Sequence, residues 1–91
     1  MTYKIIITDE AEADISRLRK SGDITALKKL DSLLTELESH PETGTGHPEP
    51  LKGNRAGQWS RRITKKHRLV YKIEKEKITV LVLTAYGHYD D

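Results

Sequence analysis

One carboxylate, one late histidine and a run of cations are the side chains of this protein that could do chemistry together. Glu49 stands between Pro48 and Pro50. Behind it, from Lys52 to Arg68, come seven basic residues, Lys52, Arg55, Arg61, Arg62, Lys65, Lys66 and Arg68, with no carboxylate among them. His88 follows near the end of the sequence. A positive field this concentrated calls for a polyanion. A base and an acid flanking clustered cations are what RNA transesterification requires. One group takes the proton of a 2′-hydroxyl, another protonates the departing 5′-oxygen, and cations stabilise the extra negative charge on phosphorus. If Arg62 and Arg68 stand on neighbouring strands with an open face, they present a guanidinium pair to a phosphate.

Each feature has a plainer alternative. A basic run is more often a solvated or nucleic-acid-binding face than a catalytic one. A carboxylate between prolines is usually a turn residue, and a histidine near a terminus is usually just exposed. Trp59 and Tyr71 suit a core better than a base-stacking platform, whereas Tyr89 has no evident core role. His40, His47, His67 and His88 lack metal-ligand spacing. Gly44-Thr45-Gly46 precedes no helix and no Gly-Lys-Ser/Thr, so a phosphate-cradling loop does not fit. Residue chemistry alone stops at a nucleic-acid binder, with nuclease activity left open.

Composition narrows the setting. Ninety-one residues, 33% charged and 35% hydrophobic, suit one soluble domain, 1–91, with a modest core. The first fifty-one residues carry six basic and ten acidic groups, and residues 69–91 three and four, so the net charge of +2 conceals the basic segment. Cysteine is absent, which excludes disulfides, a thiol nucleophile and sulfur metal sites and fits a reducing cytoplasm. The longest apolar stretch, near Val80-Leu81-Val82-Leu83, is too short to span a bilayer.

Positioning these residues falls to an α+β arrangement. Residues 3–8 read as a strand, 9–20 and 23–39 as helices, and 58–64, 67–74 and 77–85 as strands. Thr8 or Asp9 can cap the first helix and Ser21 or Asp23 the second. In the second, Ile24, Leu27, Leu30, Leu33, Leu34 and Leu37 form one apolar stripe. The short link makes the helices an antiparallel hairpin, packed on one face of a mostly antiparallel sheet. Residues 40–57 read as a long ordered loop or set of turns. Alternation puts Trp59, Arg61 and Ile63 on one side with Ser60 and Arg62 on the other. It likewise separates Leu69, Tyr71 and Ile73 from Arg68, Val70 and Lys72. The last strand is apolar on both faces and therefore interior.

The words Gly46-His47-Pro48-Glu49-Pro50-Leu51-Lys52, Gly57-Gln58-Trp59-Ser60-Arg61-Arg62-Ile63-Thr64, His67-Arg68-Leu69-Val70-Tyr71 and His88-Tyr89 resemble the YoeB (Txe) toxins. These belong to the RelE superfamily of toxin–antitoxin systems. The resemblance implies a microbial RNase fold and a ribosome-dependent mRNA endonuclease acting in the ribosomal A site. It implies neutralisation by a cognate YefM-like antitoxin, no cofactor and no metal, and a homodimer is compatible with it. By the same resemblance the general base falls on Glu49, the phosphate-stabilising arginine on Arg68, the general acid on His88 and a substrate-orienting tyrosine on Tyr89. Lys52 and Arg62 match further basic positions, and Arg61 and Lys65 are expected to join them in binding RNA phosphate. Two departures stand out. Many relatives carry a basic residue where Tyr86 stands, and Asp90 and Asp91 extend past the usual terminal tyrosine. The rival expectation is a non-catalytic module that binds RNA or an acidic partner.

Overall fold

The computed structural model describes residues 2–87. Strand β1 (Lys4–Ile7) leads into helix α1 (Asp9–Ser21). The Thr8 hydroxyl caps α1 by accepting from the Ala11 amide at 3.2 Å, and Asp9, Glu10 and Glu12 occupy the first turn, where unpaired amides favour negative charge. Gly22 ends the helix in the left-handed region, φ 75°, a conformation that costs glycine no Cβ clash. Asp23 at once caps helix α2 (Ile24–Leu37), accepting from the Ala26 amide at 3.0 Å. The helices therefore fold back as a hairpin. Ala11, Ile15 and Leu18 of α1 and Ala26, Leu30, Leu33 and Leu37 of α2 form the buried stripe. Ile24 departs from the expected stripe: it is 64% exposed in the first turn, and Ala26 takes the inward position.

Strands β2 (Glu49–Pro50), β3 (Gln58–Arg62), β4 (Arg68–Glu74) and β5 (Thr79–Thr84) complete a sheet of order β1-β5-β4-β3-β2. Only the β1–β5 pair is parallel. β5 is interior, as its two apolar faces require. The helices cover one face through a core shared with Ile63, Leu69, Tyr71, Val80, Val82 and Ala85. Between Val70 and Tyr71 the register slips. Val70 pairs with Thr84 and Tyr71 with Val82, so β5 carries an extra residue there. The bulge turns Thr84 to Val70's face and lets Ala85, rather than Thr84, follow Val82 into the core. β2 lies within the stretch expected to be loop, and two residues including a proline are too short to show a period.

The loop leaving α2 is built around Arg61. This side chain is fully buried beneath the sheet's helix-side face. Its guanidinium donates to Glu36 Oε1 at 2.5 Å, to the Thr43 carbonyl at 2.7 Å, to the Thr45 carbonyl at 3.2 Å and to the His40 carbonyl, and its Nε donates to Tyr71 Oη at 3.0 Å. Tyr71 Oη in turn donates to the Pro41 carbonyl at 2.8 Å. Arg61 is thereby removed from the residues expected to bind RNA phosphate. Its donors are spent on loop carbonyls and one carboxylate, and it offers no surface to a ligand.

Candidate functional site

With the helices covering one face, the other face of β2, β3 and β4 is where the expected residues can meet. Arg62 and Arg68 are direct partners across β3 and β4, and Glu49 is the partner of Ser60 across β2 and β3. Direct partners share a face, and Ser60 and Arg62 are two apart on one strand, so all four lie on one side. Together with Gly46 and His47 they line an open groove of about 300 Å³. Glu49 and Arg62 are exposed, Arg68 is half-buried and Ser60 is buried at its floor. Like charges directly opposite one another destabilise a sheet. A facing arginine pair on an open face therefore marks a place where an anion relieves the repulsion.

Local structure fixes each member. Arg68 opens β4, and its Nη1 donates to the Thr64 carbonyl of the β3–β4 turn at 3.0 Å. Its amide donates to the Gly87 carbonyl at 2.8 Å. His67 Nδ1 accepts from the Gly87 amide at 2.8 Å, so the residue preceding His88 is pinned from both sides against the His67-Arg68 pair. Gly46 seats the loop before Glu49. Its carbonyl accepts from the Arg62 amide at 2.7 Å, and at φ 84° an added Cβ would stand 3.1 Å from the Arg62 carbonyl and 3.2 Å from Leu33 Cδ2.

The remaining expected residues divide. Lys52 is exposed at the start of a short 3-10 turn, Gly53–Arg55, and does not line the groove. Lys65 lines an adjoining groove that also contains Arg62. His88 and Tyr89 lie outside the described residues. Tyr86 packs on the His67 ring, tilted by 43° at 4.3 Å between centroids, and carries the Arg17 guanidinium 3.8 Å from its centroid. A cation from α1 thus stands at that corner through Tyr86. Three groove residues, Gly46, His47 and Ser60, were not among those expected. Ser60 shares Arg62's parity on β3, which was a usable signal. His47 faces the groove from a positive φ of 53°, which its sequence context did not announce. Among the described residues no three His, Asp or Glu side chains converge where a metal could sit.

Comparison with known proteins bears out the fold and gives the family. The profile of the YoeB-like toxins of bacterial type II toxin–antitoxin systems matches residues 8–89. "Toxin YoeB" of Escherichia coli K12 is 37% identical over 86 residues, 94% of this chain and 99% of that protein. A "YoeB/ParE toxin" from Agrobacterium tumefaciens superimposes with a TM-score of 0.86 at 35% identity, covering 94% of this chain and 99% of that one. YoeB of Staphylococcus aureus has been solved as a dimer (TM-score 0.81, 30% identity) and in complex with YefM (0.80, 29%), each over 98% of this chain and 100% of theirs.

Proposed function

The chain belongs to the YoeB-like toxin family of type II toxin–antitoxin systems, and from that premise we propose that it is a ribosome-dependent mRNA endonuclease that cuts messages in the ribosomal A site. The observation that carries the proposal is the arginine pair, Arg62 opposite Arg68, beside Glu49 in one groove. Glu49 takes the proton of the 2′-hydroxyl as that oxygen attacks the adjacent phosphorus. Arg68, with Arg62 across from it, stabilises the charge that builds on the non-bridging oxygens. His88 delivers a proton to the 5′-oxygen as the P–O bond breaks, and Tyr89 orients the substrate. The products are a 2′,3′-cyclic phosphate and a 5′-hydroxyl, and the step as written calls on no metal. The hydrogen bonds from Arg68 and to His67 that hold Gly87 support His88 in this role, because they anchor its chain neighbour at the groove's edge.

The cleft's open, cationic character also suits an acidic antitoxin segment that folds on binding. The S. aureus relative's complex with YefM supports a YefM-like partner for this chain, and its dimer supports a homodimer. A cytoplasmic location follows from a ribosomal substrate.

Single-turnover cleavage of an A-site codon on stalled ribosomes tests the catalytic assignment. Glu49→Gln and His88→Ala should each slow the reaction by about 10²–10⁴-fold. Arg68→Ala should cost comparably, and Arg68→Lys should recover only part, since lysine lacks the planar fork that grips two phosphate oxygens. If all of these variants cut like the parent, the groove binds and does not catalyse. EDTA in a minimal assay that keeps the ribosomes intact should leave the rate unchanged.

A further inference from the structure

A second groove, of about 350 Å³, adjoins the first and shares Arg62 with it. Four elements build it: α2 supplies Lys29, the loop supplies Thr45 to His47, β3 supplies Arg62 and the β3–β4 turn supplies Lys65. Lys29, Arg62 and Lys65 converge there, and no carboxylate is among the lining residues. Among the described residues none of these three cations has an ion-pair partner. Glu36, two turns along α2 from Lys29, is committed to Arg61 and to the amide and hydroxyl of Thr45. The walls are held by backbone, because the Gly46 carbonyl accepts from the Arg62 amide at 2.7 Å and any Cβ on Gly46 would press on the Arg62 carbonyl. Three unpaired cations around one concavity raise a local potential that attracts an anion. The volume sits within the range of small-molecule sites.

We propose that this groove, lined by Lys29, Arg62 and Lys65, holds a second phosphodiester of the message, the linkage next to the one that is cut. The inference rests on the nuclease reading and extends it. The RNA backbone then passes from the Glu49–Arg68 groove across Arg62 into a second cationic seat, with Arg62 between two phosphates. Such a contact is made equally in the ground and transition states, so it governs affinity rather than the chemical step.

The test uses full-length toxin and ribosomes stalled with a fluorescent message in the A site, read separately for toxin binding and for single-turnover cleavage. The Lys29→Gln, Lys65→Gln double variant should bind about tenfold more weakly, with the loss in KM rather than kcat. A message carrying one neutral methylphosphonate beside the scissile linkage should erase the difference between parent and variant. Equal binding by the double variant overturns the proposal. So does a penalty that persists whichever neighbouring linkage is neutral, which would put ribosomal RNA in the groove, and so does a loss confined to kcat. Thermal melts matching the parent exclude misfolding as the cause, and Lys29→Arg with Lys65→Arg, which keep the charge, should restore binding. A parent that binds yet never cuts ends the nuclease reading alone, because the binding arm still decides the groove.

Discussion

Arg61 and Arg62 are adjacent in sequence and opposite in fate. Alternation along β3 sends Arg61 under the sheet with Ile63 and leaves Arg62 on the open face. The alternation was legible, since the sequence pattern already grouped Arg61 with Trp59 and Ile63, but the burial was not, and Arg61 was expected to bind phosphate. Nor were its partners legible, because the carbonyls of His40, Thr43 and Thr45 come from a stretch without period. Arg61→Ala should lower the unfolding free energy by about 3–5 kcal/mol in a urea melt, because it strands a carboxylate, three carbonyls and a tyrosine hydroxyl. Arg62→Ala should leave the melt within a few tenths of a kcal/mol of the parent, or improve it, since it removes a like-charged neighbour of Arg68. Glu36 reports on the same cluster. Burial pushes its carboxyl up, but the Thr45 amide and hydroxyl and the Arg61 guanidinium outweigh burial and hold it below its ordinary 4.5. Because the folded value is depressed, its stabilisation is complete above 4.5 and disappears as pH falls through the lower folded-state value. Melts of the parent and Glu36→Gln across pH 2.5–6, a range of roughly two units either side of an ordinary carboxylate, should show a shallower acid slope in the variant.

At the scale of elements, the helices were the most readable parts, because Thr8, Gly22 and Asp23 mark their ends and leucines mark their inner faces. Leu30 is 3% exposed within the shared core, and Leu30→Ala should cost about 2–5 kcal/mol in the same melt. β2 and the β5 bulge were not readable. Each is a matter of pairing with a partner strand, which the sequence of a single strand does not record. The loop between α2 and β2 depends on glycine at a defined point. A Cβ on Gly44, at φ 113°, would stand 1.9 Å from Glu36 Oε1 and drive that carboxylate off Arg61. Gly44→Ala should therefore lower the melting midpoint. The corner that carries Gly87 has its own signature. His67→Phe keeps a ring against Tyr86 but loses the acceptor for the Gly87 amide, so that amide should exchange faster with solvent than in the parent. His67→Asn, which restores an acceptor oxygen, should slow it again.

For the whole molecule, the sheet divides labour between its faces: one is spent on the core and the other is left cationic. Affinity for an acidic antitoxin segment should fall as salt rises, because exposed charges on the open face are screened within about 10 Å at 0.1 M. Titration at several ionic strengths checks this, and a flat response would mean that apolar contacts dominate. The strand order has a further consequence, in the timing of synthesis. β1 is among the first segments made, yet its one partner in the sheet is β5, paired Lys4 with Thr79 through Ile7 with Val82. The Thr8 hydroxyl reaches the Val82 carbonyl at 2.8 Å across the same span. Contacts this distant in sequence form late. During translation β1 must wait until both helices, the groove strands and β5 have been made and have left the exit tunnel. The helical hairpin can form on the nascent chain before β5 is made, whereas the five-stranded sheet cannot. On the nuclease reading, a nascent copy is therefore harmless to the ribosome that carries it for as long as β5 has not emerged.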